Sequence, residues 1–192
     1  TVVDAFQLER QLAFEENVRQ IGFADTILLN KVDLISDSEV NLVTERLAGL
    51  NPTALILPTI QSKTDLKPLF ETFHFPKQEE ERLAQQTDGL QKAAESFTAL
   101  TITERMPLHR QRFGAVLREI LEAYAEDLYR YKGIIHFADT NQKIVLQGTG
   151  MIYGTAARGE FEGEKQTTLV FIGKNLDEQA IRTGVKAAIA HR

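Results

Sequence analysis

No cysteine occurs among the 192 residues, which excludes disulfides, thiolate metal sites and thiol nucleophiles from this chain. Any metal here would have to be held by His, Asp or Glu. No apolar run reaches about 18 residues, and no basic segment followed by an apolar one opens the chain. Neither a membrane span nor a signal peptide is therefore expected, and a cytoplasmic setting is the default. Basic charge is also in deficit, with 22 Lys and Arg against 27 Asp and Glu, a net charge of −5. Such a surface has no field to attract phosphodiester backbones, so neither nucleic acid nor membrane is expected as a partner.

Missing chemistry narrows the reading further. The chain has no G-x-x-x-x-G-K-[ST] string, so no glycine-rich loop cradles phosphates and hydrolysis cannot be assembled from this chain alone. His74, His109, His136 and His191 fall at no metal-ligand spacing and read as structural or surface residues. Glu160, Glu162 and Glu164 lie in a glycine-containing stretch and could attract a hard cation, but acids so spaced are more often simply solvated. No Ser-His-Asp or paired-carboxylate arrangement stands out, so no catalytic residue and no metal ligand is assigned. Arg130, Tyr131, Lys132 and Gly133 form a polar-aromatic cluster just before a strand. They read as a docking surface or as side chains snorkelling over a core, with a slight preference for the second.

What is present is a globular composition, 43% hydrophobic and 26% charged, enough for one large domain or two small ones. The chain opens at Thr1, without Met, inside the apolar run Thr1-Val2-Val3, as though cut at the edge of a strand, and a piece of a longer protein is expected. Residues 1–4 read as a strand, and Leu8, Leu12, Val18 and Ile21 predict a helix from about Phe6 to Ile21. Thr26-Ile27-Leu28-Leu29 is an unalternated apolar run, as in a strand buried on both faces. Ser36, Asp37 and Ser38 can cap a helix carrying Val43, Leu47 and Leu50, which Asn51-Pro52 stops, and Leu55-Ile56-Leu57 follows as a strand.

Residues 1–76 thus alternate β-α-β-α-β-α, half of a doubly wound parallel sheet with crossover helices. Residues 77–95 are polar and charged and read as a linker, or equally as a solvated helix. Residues 96–192 predict strands at Phe97–Thr103, Ile134–Phe137, Lys143–Gln147, Met151–Tyr153 and Leu169–Ile172. Phe113, Val116, Leu117, Ile120, Leu121 and Tyr124 give one amphipathic helix and Leu176–Ala190 a second, in the order β-α-β-β-β-β-α of an α+β unit. The same order could serve a sheet-surface RNA binder, which the acidic charge and the lack of an aromatic RNP-like string oppose.

The most informative segment is Asn30-Lys31-Val32-Asp33, an N-K-x-D string at the carboxyl end of a parallel strand, where open α/β sheets bind ligands. A carboxylate at Asp33 can accept from both the ring N–H and the exocyclic amine of guanine, a pair that adenine does not offer. Adenine would leave the carboxylate partly desolvated without donors, a penalty of about 1–3 kcal/mol or roughly tenfold to a hundredfold in affinity. Asn30 can bond the purine edge and tie neighbouring loops together, while the Lys31 stem lies along the base. The plainer alternative is a polar strand-to-helix loop in which Asp33 is only a turn residue.

The strings QIGFADTILLNKVDL, LYRYKGIIHF, IVLQGTGMIY and TLVFIGKNLDEQAI resemble the CobW/YjiA family of P-loop GTP-binding proteins of metallochaperone type, over nearly the whole chain. That resemblance implies the later half of a G domain followed by a CobW C-terminal domain. Asn30, Lys31 and Asp33 would be its base-specificity motif, and Thr59–Gln61, within a loop reaching Ser62, a second base loop. It further implies, for the longer parent protein, GTP or GDP with Mg²⁺, slow hydrolysis, and delivery of zinc, cobalt or another transition metal to a client protein; cobalamin synthesis is a family label. The Walker A loop, the switch segments, the magnesium-site acid, which is not Asp4, and a C-x-C-C metal motif would all lie upstream. Neither nucleotide nor metal is expected to bind this chain tightly, and an exposed sheet edge offers a route to pairing of copies. The rival expectation is a protein-interaction module that works without nucleotide.

Overall fold

The computed structural model describes residues 1–65, 83, 86, 88–92 and 97–190. Three parallel strands open the chain: β1 (Val2–Asp4), β2 (Thr26–Asn30) and β3 (Leu55–Thr59), hydrogen-bonded in the order β1-β2-β3. Ile27 and Leu29, on one face of β2, are fully buried, while on the other Thr26 is buried and Leu28 half-buried, so the unalternated apolar run is covered on both faces, one less completely.

The helix expected over Phe6–Ile21 is divided into a 3-10 turn (Ala5–Gln7), α1 (Leu8–Leu12) and α2 (Glu15–Phe23). Val18 and Ile21 are six and nine positions beyond Leu12, which on one straight helix would place them about 120° and about 180° around the axis from it. The break at Phe14, extended at φ −106° and ψ 123°, re-aims the second stripe so that Val18 and Ile21 are buried. Helix α3 (Asp37–Leu50) starts as its sequence demands, with a capping box between Ser36 and Glu39.

At the far end of α3 the buried Asn51 amide donates to the carbonyls of Ile21 (2.8 Å), Gly22 (3.2 Å) and Ala24 (2.9 Å). Its Oδ1 accepts from the Thr53 backbone N–H and hydroxyl. One side chain thereby closes the C-terminus of α2 and fixes the entry into β2, satisfying carbonyls that a helix end leaves open.

The crossover helix expected after β3 lies outside the described residues, as does most of the segment 77–95. Part of that stretch is nevertheless structured, because Leu83 is buried and β4 (Gly89–Lys92) pairs antiparallel with β5 (Phe97–Glu104). A four-residue edge strand rests on backbone hydrogen bonds to a single neighbour, so its polar composition hid it.

The second sheet is antiparallel, in the order β4-β5-β9-β6-β7-β8, with β6 (Leu128–Ile135), β7 (Gln142–Thr149), β8 (Ile152–Glu160) and β9 (Thr167–Lys174). Helices α4 (Arg110–Ala123) and α5 (Glu178–Ala187) cover one face through Leu100, Leu117, Leu121, Phe171, Ile181 and Val185. Alternate residues of the same strands, among them Phe97, Ala99, Val170 and Ile172, form a separate core with Ile21, Leu47 and Leu50 of the first unit. The antiparallel sheet is thus a middle layer, buried on both faces at its centre.

Arg130–Gly133 lie inside β6 rather than before a strand, a correction to the sequence reading. A register shift between Leu128 and Arg130 breaks the alternation, so that Tyr129 joins the core shared with the first unit while Arg130 bonds residues of that unit.

Candidate functional site

Strand register builds the site. Asp4 pairs with Asn30 and Asn30 with Thr59, so the carboxyl ends of the three parallel strands stand in one row. This is the edge at which open α/β sheets receive ligands. Asn30 Oδ1 accepts from the Ser62 backbone N–H at 2.7 Å and from the Thr59 hydroxyl at 3.3 Å. Its oxygen is thereby committed to the protein, and the group left for a ligand is the Nδ2 donor.

Ser62 is held by a tight turn. Gln61 and Ser62 both take left-handed backbone, at φ 53° and 54°, between Ile60 and Lys63, and the Lys63 N–H donates to the Ile60 carbonyl at 3.0 Å. Two successive left-handed residues give the type I′ geometry. The loop expected at Thr59–Ser62 therefore sits against Asn30 through both Thr59 and Ser62.

Lys31 is also left-handed, at φ 63°, which costs a side-chain-bearing residue about 1 kcal/mol or more. Two contacts over-determine it: the Leu34 N–H donates to the Lys31 carbonyl at 3.1 Å, and Lys31 Nζ bonds Asp4 Oδ2 at 2.7 Å. The Lys31 hydrogen bond, with help from the backbone N–H groups of Phe6 and Gln7, holds the Asp4 carboxyl below its ordinary range. The sharp turn at Lys31 is followed by a 3-10 segment, Val32–Leu34. There Asp33 is exposed, and its carboxylate makes no hydrogen bond or ion pair with the described residues. The edge thus offers a donor at Asn30, an open carboxylate at Asp33, and an aliphatic stem at Lys31 pinned beside them.

The other candidates do not converge. His74 and His191 lie outside the described residues; His109 precedes α4, and His136 packs edge-on to Phe161 at 5.5 Å with its pKa lowered by burial. Glu160 ends β8 and accepts from Asn141, whereas Glu164 pairs with Arg105. Among the described residues no group of three or more His, Asp or Glu side chains could hold a metal ion, and no helix is long and apolar enough to cross a membrane. The residues described here therefore do not fit a zinc site.

Two roles escaped the sequence reading. Asp25, just before β2, takes Arg130 Nη2 and Lys132 Nζ on one oxygen, the latter at 2.8 Å, and Asn51 closes α2 as described above. Arg130 and Lys132 are buried at 7% and 2% exposure, so they are neither a docking surface nor snorkelling side chains. Their spacing at i and i+2 within Leu-Tyr-Arg-Tyr-Lys-Gly-Ile-Ile was the available signal, since it puts two cations on one face of an otherwise apolar strand.

Comparison with known proteins gives two successive matches, separated by residues 59–96. A model of the CobW/HypB/UreG nucleotide-binding domain matches residues 1–58, and one of the cobalamin synthesis protein cobW C-terminal domain matches residues 97–189. The zinc chaperone YjiA of Escherichia coli (strain K12) is 28% identical over 186 residues, which cover 94% of this chain and 57% of that relative's length. Two crystal structures, zinc-bound E. coli YjiA GTPase and a zinc-bound triple mutant of YjiA GTPase, each superpose with a TM-score of 0.77 at 24% identity. Each match covers 98% of this chain and 60% of the other.

Proposed function

The chain belongs to the CobW/YjiA family, and on that premise we propose that its first unit reads the guanine base of GTP or GDP while its second unit docks a metal-client protein. The observation that carries this reading is the pairing of an engaged Asn30 oxygen, bonded to Ser62 N–H, with an open Asp33 carboxylate on the same strand edge. The Asn30 amide donates to the purine edge, and Asp33 accepts from the two N–H donors peculiar to guanine. The Asn30 donor is fixed before the ligand arrives, which lowers the ordering cost of binding.

In this reading the phosphates and Mg²⁺ are held by sequence outside residues 1–192, and hydrolysis belongs to that longer protein, acting in the cytoplasm in delivery of zinc, cobalt or another transition metal. Likeness to a zinc chaperone supports the metal part. Base contacts without phosphate contacts leave affinity in the millimolar range, because phosphate and metal contacts carry much of nucleotide binding. An NMR titration of this chain with GDP and with ADP tests the proposal. GDP is expected to shift the Ser62 and Asp33 amides and ADP to leave them in place; equal responses to both would overturn base reading.

A second reading, a protein-interaction module independent of nucleotide, draws on the start of the edge strand β8, where Ile152 and Tyr153 are exposed together with Met151 of the preceding turn. Pairing of copies through the outer edge of β1, where Val2 is exposed, is proposed on similar grounds. Sedimentation across a concentration series separates a monomer from such a pair.

A further inference from the structure

Beside the shared apolar core, a group of polar contacts joins the two units where the base-reading strand begins. Arg130 Nη1 donates to the Phe23 carbonyl at 2.6 Å, and Arg130 Nη2 and Lys132 Nζ both reach Asp25 Oδ1. Phe23 closes α2 and Asp25 precedes β2, so both cations of the second sheet grip the two-residue joint between that helix and that strand. Asn51 holds the remaining carbonyls of the same joint, at Ile21, Gly22 and Ala24. A cation at a helix C-terminus also opposes the negative end of the helix dipole.

Aromatic contacts reinforce the grip from β6. Tyr129 packs against Phe23 at 5.5 Å and Phe97 at 5.8 Å, with the Arg19 guanidinium 5.1 Å from its ring centre. Lys132 is among the largest fully buried side chains, whereas the Asp25 side chain keeps 48% exposure. The cations are therefore fixed by the second sheet, and the carboxylate is the adjustable member.

From this joint β2 runs five residues to Asn30, about 16 Å at the usual strand rise. Its fully buried Ile27 and Leu29 leave it no lateral slack. A change in how the second unit sits pulls on Asp25 and on the Phe23 carbonyl, and the strand, packed through Ile27 and Leu29, passes that displacement toward its other end.

We infer that Arg130 and Lys132 are positioning residues for the guanine-reading edge: through Asp25 they set the seating of β2, so a partner that shifts the second unit changes guanine affinity, and bound guanine changes partner affinity by the same factor. This deepens the base-reading proposal and rests on it. The Phe23 and Asp25 contacts of these cations lie at the opposite end of β2 from Asn30, so their effect on the site is carried by the strand.

The test uses this chain, with Lys132→Met, Asp25→Asn, the double variant and Asp25→Glu, alongside Asp33→Ala as a control on base reading. Amide hydrogen exchange of Ile27, Leu29 and Ser62 is measured together with GDP affinity by NMR titration. Lys132→Met and Asp25→Asn are each expected to speed exchange at these amides at least tenfold and weaken GDP threefold to tenfold. The double variant should be no worse than the poorer single one, since the residues act through one contact. Asp25→Glu, which keeps the charge, should recover most of the loss, whereas a simple loss of packing would not follow charge. Asp33→Ala should weaken GDP while leaving exchange unchanged. Wild-type exchange and GDP affinity in a folded Asp25→Asn chain would overturn the inference. Faster exchange in the variants of a chain that never distinguishes GDP from ADP would overturn base reading while leaving the mechanical coupling in place.

Discussion

Asn30 and Ser62 are separated by 32 positions in the chain, yet the Asn30 side-chain oxygen accepts the Ser62 backbone N–H at 2.7 Å. That bond joins the end of β2 to the turn after β3 and makes one surface of two loops. It also fixes which way the Asn30 amide points, because a backbone N–H can bond only to its oxygen.

Asp33→Ala should lower guanine nucleotide affinity by roughly tenfold to a hundredfold, the worth of an acceptor facing two donors. Adenine nucleotide binding should strengthen or hold, because the variant has no carboxylate for adenine to desolvate. Because Asp33 is exposed and outside the core, urea denaturation should place the variant within about 0.5 kcal/mol of the parent.

The Asp4–Lys31 bond makes a pH prediction. Lys31 donates to Asp4 and holds its carboxyl below the ordinary carboxylate range, so the folded-state pKa lies below the unfolded one. The stabilisation is then complete above the unfolded value and disappears as pH falls through the lowered folded value. The Lys31 side chain is 47% exposed, so solvent screens the pair and the effect on global stability should be small. The readout is the Asp4 carboxyl titration by NMR, which Lys31→Met should move upward.

Asn51→Ala should destabilise the chain by about 2–4 kcal/mol. The change leaves the buried carbonyls of Ile21, Gly22 and Ala24 and the Thr53 donors without the Asn51 partner, and unsatisfied buried groups each cost about 1–3 kcal/mol before relaxation. Denaturation midpoints at unchanged slope would measure it.

Gly133→Ala should also destabilise, by about 2–3 kcal/mol. A Cβ there would stand 2.5 Å from the Thr168 carbonyl oxygen on the neighbouring strand and 2.6 Å from Leu169 Cδ2. Backbone cannot yield as a flexible side chain would, so thermal unfolding should show the loss even though the added methyl is apolar.

Much of the fold was legible because its signals are local. The Ser36–Glu39 capping box, the stop at Asn51, the apolar run of β2 and the stripe of α4 each follow from a few neighbouring residues, and the order of elements in the second unit came with them. The N-K-x-D string could be placed at a strand end for the same reason. Other features left no such mark: β4 has too few residues to show a period, and the break at Phe14 is visible only once one knows which faces the core will cover.

The sequence by itself determined most element types and the α/β and α+β classes, and it supplied Asn30, Lys31 and Asp33 as the candidates at the strand end, since these depend on short-range periodicity and side-chain chemistry. Tertiary structure alone decided that Asn30 gives its oxygen to Ser62, that Lys31 is anchored on Asp4, and that Arg130 and Lys132 are buried against Asp25. These partners lie 27 to 107 positions apart. Their meeting depends on strand register, on a bulge in β6 and on the packing of one sheet against another unit, none of which is encoded within reach of a local pattern.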